Sequence, residues 1–138
     1  MAFAERYDTE SSLIYFDVNS LKPINDTYGH PAGDATLMRI ADVLVENVRE
    51  LDVVARLGGD EFAVILSQSD VPTASEKAAY LVATIEAQPL GWNGEEIPIK
   101  VSYGIYIFKG GDTAGEALAA VDRAMYAHKL AYKQASRG

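Results

Sequence analysis

Three acids, Asp17 in "LIYFDV" and Asp60 and Glu61 in "RLGGDEF", sit where side-chain chemistry is worth asking about. Taken alone, Gly58-Gly59-Asp60-Glu61 is most simply a tight turn with solvated acids, because glycine tolerates positive φ at no steric cost and polar residues crowd turns. Asp17 shifts that balance. It closes an apolar run, where an unpaired carboxylate would be partly buried and costly. A strand-end carboxylate and a hairpin-tip carboxylate on neighbouring strands can face one gap and hold a hard divalent cation through oxygen. Mg²⁺ takes only one or two protein carboxylates and fills the rest of its octahedron with water and phosphate oxygens, so two acids suffice when the substrate is a nucleotide. Two such ions can activate an attacking hydroxyl and stabilise a departing pyrophosphate. A turn without side chains would also let a large ligand approach the backbone.

The elements that must hold these acids can be read from periodicity. "SLIYFDV" is a short run of β-formers, apolar on both faces, and predicts a central strand ending near Asp17. A polar, helix-compatible stretch follows, broken by Pro23 and Gly29. From Pro31 the apolar positions Leu37, Ile40, Ala41, Leu44 and Val48 form one helical stripe ending near Arg49. "VVARLGGDEFAVIL" predicts an antiparallel hairpin, and Ala78, Leu81, Val82 and Ile85 a second helix stopped by Pro89. Asn93-Gly94 predicts a minor hairpin over 91–97 with Trp92 as a lid on the core edge, and "IPIKVSYGIYIF" alternates as one strand from Ile97 to Ile107. Leu118, Val121 and Met125 give a last helix its core stripe. The sum is an α/β (α+β) domain with a mixed sheet.

Composition narrows the function classes. The 138 residues suit a single domain spanning 1–138. No cysteine and two histidines exclude a disulfide framework, a thiolate metal site and a histidine metal cluster, so any metal is held by oxygen. A net charge of −8 argues against a nucleic-acid coat protein. No apolar stretch is long enough for membrane insertion and the start lacks signal-peptide character, so the chain reads as cytoplasmic. "MAFAERYD" reads as the tail of a helix entering the first strand, which predicts a chain truncated at its N-terminus.

"FDVNSLKPINDTYGHPAGD", then "RLGGDEF", then "VDRAMYAHK", in this order from about residue 11 to 133, resemble the GGDEF family of diguanylate cyclases. The resemblance implies a palm-like, mostly antiparallel sheet flanked by helices, similar to nucleotidyl cyclases, and condensation of two GTP into cyclic di-GMP with Mg²⁺ (or Mn²⁺) across a homodimer assembled by a sensory domain. It implies that Asp17, Asp60 and the Val18 carbonyl hold metal, and that Glu61 helps to deprotonate the attacking 3′-hydroxyl. Gly58 and Gly59 would pass close to the nucleotide. Asn25 and Asp34 would read guanine, whose N1-H and exocyclic amine suit these acceptors. Lys22, Lys129 and Lys133 would contact the β and γ phosphates. "RELD" would place Arg49 and Asp52 in a product-inhibition site, since arginine stacks on guanine and forks onto phosphate. His30 is expected to be structural, bonding its loop, and Arg56 to support the hairpin, with an ordinary surface arginine as the alternative.

The chain departs from the family pattern in three places. Asn19 stands where the family usually has Asp, and "HKLAYKQ" where it has AKxxGRN, so Lys133 replaces an arginine and cannot make the bidentate fork. The family's opening DxLTGLxNR segment does not occur. The rival expectation is therefore a GGDEF-like module that binds GTP or cyclic di-GMP without turnover.

Overall fold

A computed structural model describes residues 11–67 and 69–108, together with the single helical positions 119 and 123. Within these residues the order is β1 (Ser11–Val18), α1 (Leu21–Tyr28), α2 (His30–Glu46), β2 (Val53–Gly58), β3 (Glu61–Leu66), α3 (Val71–Ala87), β4 (Leu90–Trp92), β5 (Glu95–Ile97) and β6 (Val101–Phe108). The main sheet runs β2-β3-β1-β6, and β4-β5 form a separate small ribbon. Among the described residues every strand pair is antiparallel, the antiparallel part of the expected mixed sheet. β1 is central, as its two-sided apolar sequence predicts, bonded to β3 on one side and β6 on the other.

Alternation along the strands sorts side chains onto two faces. Ile14, Phe16 and Val18 of β1 and Phe62, Val64 and Leu66 of β3 enter the main core with Ile24 of α1, Leu37, Ile40 and Leu44 of α2, and Ala78, Leu81 and Ile85 of α3. The opposite face begins apolar, with Leu13, Ala63 and Ile65 buried and Tyr15, Leu57 and Tyr106 against them.

Element boundaries follow local chemistry, and three depart from expectation. Pro23 does not break α1. It lies in the first turn, where its missing N–H is not needed, and the first helical bond runs from Ile24 N to Ser20 O at 3.0 Å. Gly29, at φ 94°, ends α1 and opens α2, which Pro31 enters at its start. α2 stops at Glu46, before Arg49, where the Asn47 amide turns back onto the Val43 carbonyl at 2.7 Å. α3 is capped by Asp70, whose Oδ1 accepts from Thr73 N at 2.9 Å. The strand expected from Ile97 begins only at Val101. Ile97 pairs with Leu90 in the ribbon, across a turn in which Asn93 and Gly94 both take positive φ, and Trp92 packs on the core edge. The expected last helix lies outside the described residues apart from positions 119 and 123.

Candidate active site

The apolar face of the sheet turns acidic as it approaches the hairpin tip. On β1 the side chains facing that way run Leu13, Tyr15, Asp17, and their direct partners on β3 run Ile65, Ala63, Glu61. On β6 the same three rows continue as Tyr106, Gly104 and Ser102. The last row therefore reads Ser102, Asp17, Glu61, Gly58 across four strands. Directly opposed residues of an antiparallel pair hold their Cβ atoms about 5 Å apart on one face, so the Asp17 and Glu61 carboxyl groups are neighbours. Both residues are half-buried.

The tip itself is Gly59-Asp60, with Gly58 and Glu61 as the closing pair and a register shift between Arg56 and Gly58. Asp60 is half-buried and its carbonyl accepts from Val18 N at 2.9 Å, which ties the tip to the end of β1. The hairpin turn stands, but neither Gly58 nor Gly59 takes positive φ, so the expectation that left-handed backbone explains these glycines is corrected. Gly58 has another reason. A Cβ on Gly58 would stand 2.8 Å from Glu61 Oε1, so Gly58 gives the Glu61 carboxylate room, whereas nothing lies within 4 Å of a Cβ on Gly59.

Two neighbours of the acids, Tyr15 and Ser102, carry no signal in the motifs. Tyr15 lies beside Asp17 on its face and across Gly104, where a side chain would run into the Tyr15 ring. Burial, then Tyr106, then the Asp17 carboxylate push the Tyr15 phenol above its ordinary value, so it stays neutral near pH 7. The signal that could have found it is the two-residue strand period. Asn19 donates its amide to Ser102 Oγ at 2.6 Å, which fastens the end of β1 to β6 next to Asp17.

A second group lies where α1, α2 and the hairpin meet. Asn25 packs against Gly33, whose missing side chain leaves the space for its amide. Asn25 Oδ1 is buried and has no hydrogen-bond partner among the described residues. Such an acceptor is costly unless a donor arrives. Asp34, exposed on α2, lines a cavity of about 370 Å³ with Leu37, Met38, Ala41, Arg56 and Phe62. The apolar walls of that cavity come from α2 and β3 and were not foreseen. His30 is exposed and makes no side-chain hydrogen bond among the described residues, so the expectation that it bonds its loop is corrected; Gly29 makes that turn instead.

Lys22 is on the solvent face of α1, paired with Asp26 at 2.9 Å while its side chain is 84% exposed. Such a pair is worth little and yields readily to a stronger anion. Lys129 and Lys133 lie outside the described residues.

Arg49 and Asp52 are at the other end of the β2–β3 hairpin. Arg49 Nη2 and Nε donate to the two Asp52 oxygens at 2.9 and 3.2 Å, its backbone N–H donates to Oδ2 at 2.8 Å, and Nη2 also reaches the Ser67 carbonyl at 2.9 Å. Burial alone would push the Asp52 carboxyl up, but the bonds from Arg49, with one from the Ser67 backbone, hold it below the usual carboxylate range.

Among the described residues no three His, Cys, Asp or Glu side chains form a metal-holding group. The donors present at the tip are nonetheless hard oxygens, the set that Mg²⁺ accepts in ones and twos when phosphates complete its shell. The chain matches the family described as "Diguanylate cyclase, GGDEF domain" over residues 1–135.

The chain belongs to the GGDEF family.

Its relatives include the bifunctional diguanylate cyclase/cyclic di-GMP phosphodiesterase MucR of Pseudomonas aeruginosa, 37% identical over 89% of this chain and 18% of that protein. Another is the diguanylate cyclase DosC of Escherichia coli, 34% identical over 94% of this chain and 28% of its own length. The chain thus spans less than a third of either. The GGDEF domain of DgcB from Caulobacter crescentus, solved with c-di-GMP, superposes with a TM-score of 0.80 at 28% identity over 94% of this chain and 78% of that one. The GGDEF palm expected from the motifs is therefore the fold. No helix among the described residues is long and apolar enough to cross a membrane.

Proposed function

We propose that this chain is the catalytic domain of a diguanylate cyclase that joins two GTP into cyclic di-GMP and releases two pyrophosphates. The observation that carries the reading is the row Ser102, Asp17, Glu61, Gly58, which sets two carboxyl groups side by side at an open, glycine-lined tip.

Asp17, Asp60 and the Val18 carbonyl would hold Mg²⁺ (or Mn²⁺), which when bound supplies positive charge to the triphosphate and the leaving pyrophosphate. Glu61 takes the proton of the ribose 3′-hydroxyl as that oxygen bonds to the α-phosphorus of the other GTP and the α–β bridge breaks. Gly58 leaves Glu61 the room to face the substrate. The buried Asn25 Oδ1 receives a guanine N–H and Asp34 accepts at the same edge, which selects GTP over ATP because adenine lacks those donors there. Lys22 gives up Asp26 for phosphate, with Lys129 and Lys133 as further point charges.

One site cannot close a symmetric ring, so activity depends on two subunits facing each other across a two-fold axis. Product is held at Arg49. Both Asp52 oxygens already accept from that arginine, so Asp52 acts by fixing the guanidinium while its flat face stays available to guanine or phosphate.

The test is turnover of GTP with Mg²⁺ by the wild type and by Asp60→Asn, with nucleotides separated by chromatography. The expected result is cyclic di-GMP from the wild type and none from the variant, with cyclic di-GMP binding retained by both. A wild type that binds cyclic di-GMP but makes none at high protein concentration would leave a binding module in place of the enzyme.

A further inference from the structure

The tip that carries Asp60 and Glu61 is a turn at Gly59-Asp60 with two glycines and no left-handed glycine to specify it. Gly58 and Gly59 both have φ outside the left-handed region, and Gly59 has no neighbour within 4 Å of its Cβ position. Side-chain packing therefore cannot fix the peptide planes there. Yet the three successive carbonyls of the tip each accept a hydrogen bond. Arg56 Nε donates to Gly58 O at 3.0 Å, Arg56 Nη2 donates to Gly59 O at 2.9 Å, and Val18 N donates to Asp60 O at 2.9 Å.

We infer that Arg56 is a positioning residue, whose guanidinium fork sets the Gly58 and Gly59 peptide planes and thereby holds the tip from which Asp60 and Glu61 project, with Glu61 directly opposite Asp17. The chemistry suits arginine. Its planar fork offers donors in fixed directions to two carbonyls at once, and charge-assisted bonds are about twice as strong as neutral ones. The register shift between Arg56 and Gly58 belongs to the same arrangement, because it takes the chain out of the regular ladder just where the guanidinium takes over. Arg56 also lines the cavity shared by Asp34 and Phe62, so one side chain touches both the tip and the wall of the base site.

The inference rests on the cyclase reading for its kinetic consequence but not for its structural one, and the experiment separates the two. Arg56→Ala and Arg56→Lys are compared with the wild type by steady-state kinetics with GTP and by backbone ¹⁵N order parameters of residues 59–61. Arg56→Ala is expected to lower kcat by roughly tenfold or more, since small misplacements of reacting groups are that costly, while KM stays within about threefold. Order parameters at 59–61 fall below about 0.6, the flexible range, and methylguanidinium restores part of kcat. Arg56→Lys, with the charge but not the fork, falls between. Arg39→Ala is the control, because Arg39 Nη1 also bonds a carbonyl, that of Gln88 at 3.3 Å, away from the tip; its kcat and order parameters stay at wild-type values. Unchanged kcat and order parameters in Arg56→Ala overturn the inference, as does a rise in KM alone with a rigid tip, which would make Arg56 a nucleotide contact. If the wild type makes no product, the cyclase reading fails and the order parameters alone decide the role of Arg56.

Discussion

The two ends of the β2–β3 hairpin use the same residue types to opposite ends. At the root, Arg49 closes on Asp52 through a bidentate pair, with the Asp52 side chain 1% exposed and that of Arg49 55% exposed. At the tip, Arg56 spends its donors on the Gly58 and Gly59 carbonyls. An arginine bonded to a buried acid makes a structural staple, whereas an arginine bonded to backbone holds a loop and leaves carboxyl chemistry to the acids beside it. Burial separates the two uses: Asp52 is enclosed, while Asp17, Asp60 and Glu61 are half-open to whatever approaches the sheet.

The sharpest break in that comparison comes from neutralising one acid at each end. Asp60→Asn is expected to lower turnover by more than about 100-fold, the rate equivalent of several kcal/mol of lost charge stabilisation, with the melting temperature nearly unchanged. At the root the order reverses. Arg49→Ala leaves the Asp52 carboxylate buried without its side-chain partner and should cost about 2–3 kcal/mol, near the lower range for broken buried pairs because backbone amides still hold Asp52. Asp52→Asn should cost only about 1 kcal/mol, since the half-exposed Arg49 can turn to water. Chemical denaturation of both variants measures the asymmetry; equal losses would mean that Asp52 is not enclosed as described.

Acid should find the root before it finds the core. The Asp52 carboxyl is held below its unfolded value, so its contribution to stability is complete above the ordinary carboxylate pKa of about 3.9 and is lost as pH falls through the lower folded value. Asp70, lowered by its bonds to Thr73, adds to the same acid limb. Melting temperature should therefore be flat in these groups from about pH 5 upward and fall below pH 4, and Arg49→Gln should shorten that fall. An acid limb of unchanged depth in Arg49→Gln would assign it to other carboxyl groups.

What the sequence made legible follows from how far each cause lies along the chain. Strand β1, the hairpin and the Asn93-Gly94 ribbon were readable because alternation and turn residues are local signals. Pro23 misled because its effect depends on where the first helical turn begins, which Ser20 decides. The strand predicted from Ile97 begins late because its entry is held by distant groups: Ser20 Oγ accepts from Lys100 N at 3.2 Å and Glu86 accepts from Val101 N at 3.1 Å. The acids of the site were identified from spacing, but their neighbours were not. Tyr15, Ser102 and the cavity walls of Leu37 and Met38 join the site through strand register and helix packing, which no short motif encodes.

The smallest effect on stability, and the finest cut at the tip, comes from its two glycines. Gly59→Ala meets open space and a backbone that alanine can adopt, so folding stability should change by no more than about 0.5–1 kcal/mol, and upward if at all, because the unfolded chain loses freedom. Gly58→Ala puts its methyl against Glu61 Oε1 and must turn that carboxylate aside. If Gly59 clears the way for nucleotide, Gly59→Ala raises KM for GTP with Glu61 undisturbed, while Gly58→Ala lowers kcat through the displaced Glu61 carboxylate if Glu61 is the base proposed above. Steady-state kinetics on the pair, with denaturant melts alongside, distinguishes room for substrate from room for a carboxylate. The same kinetic change in both variants would show that the two glycines serve one purpose, contrary to the separate reasons their surroundings give.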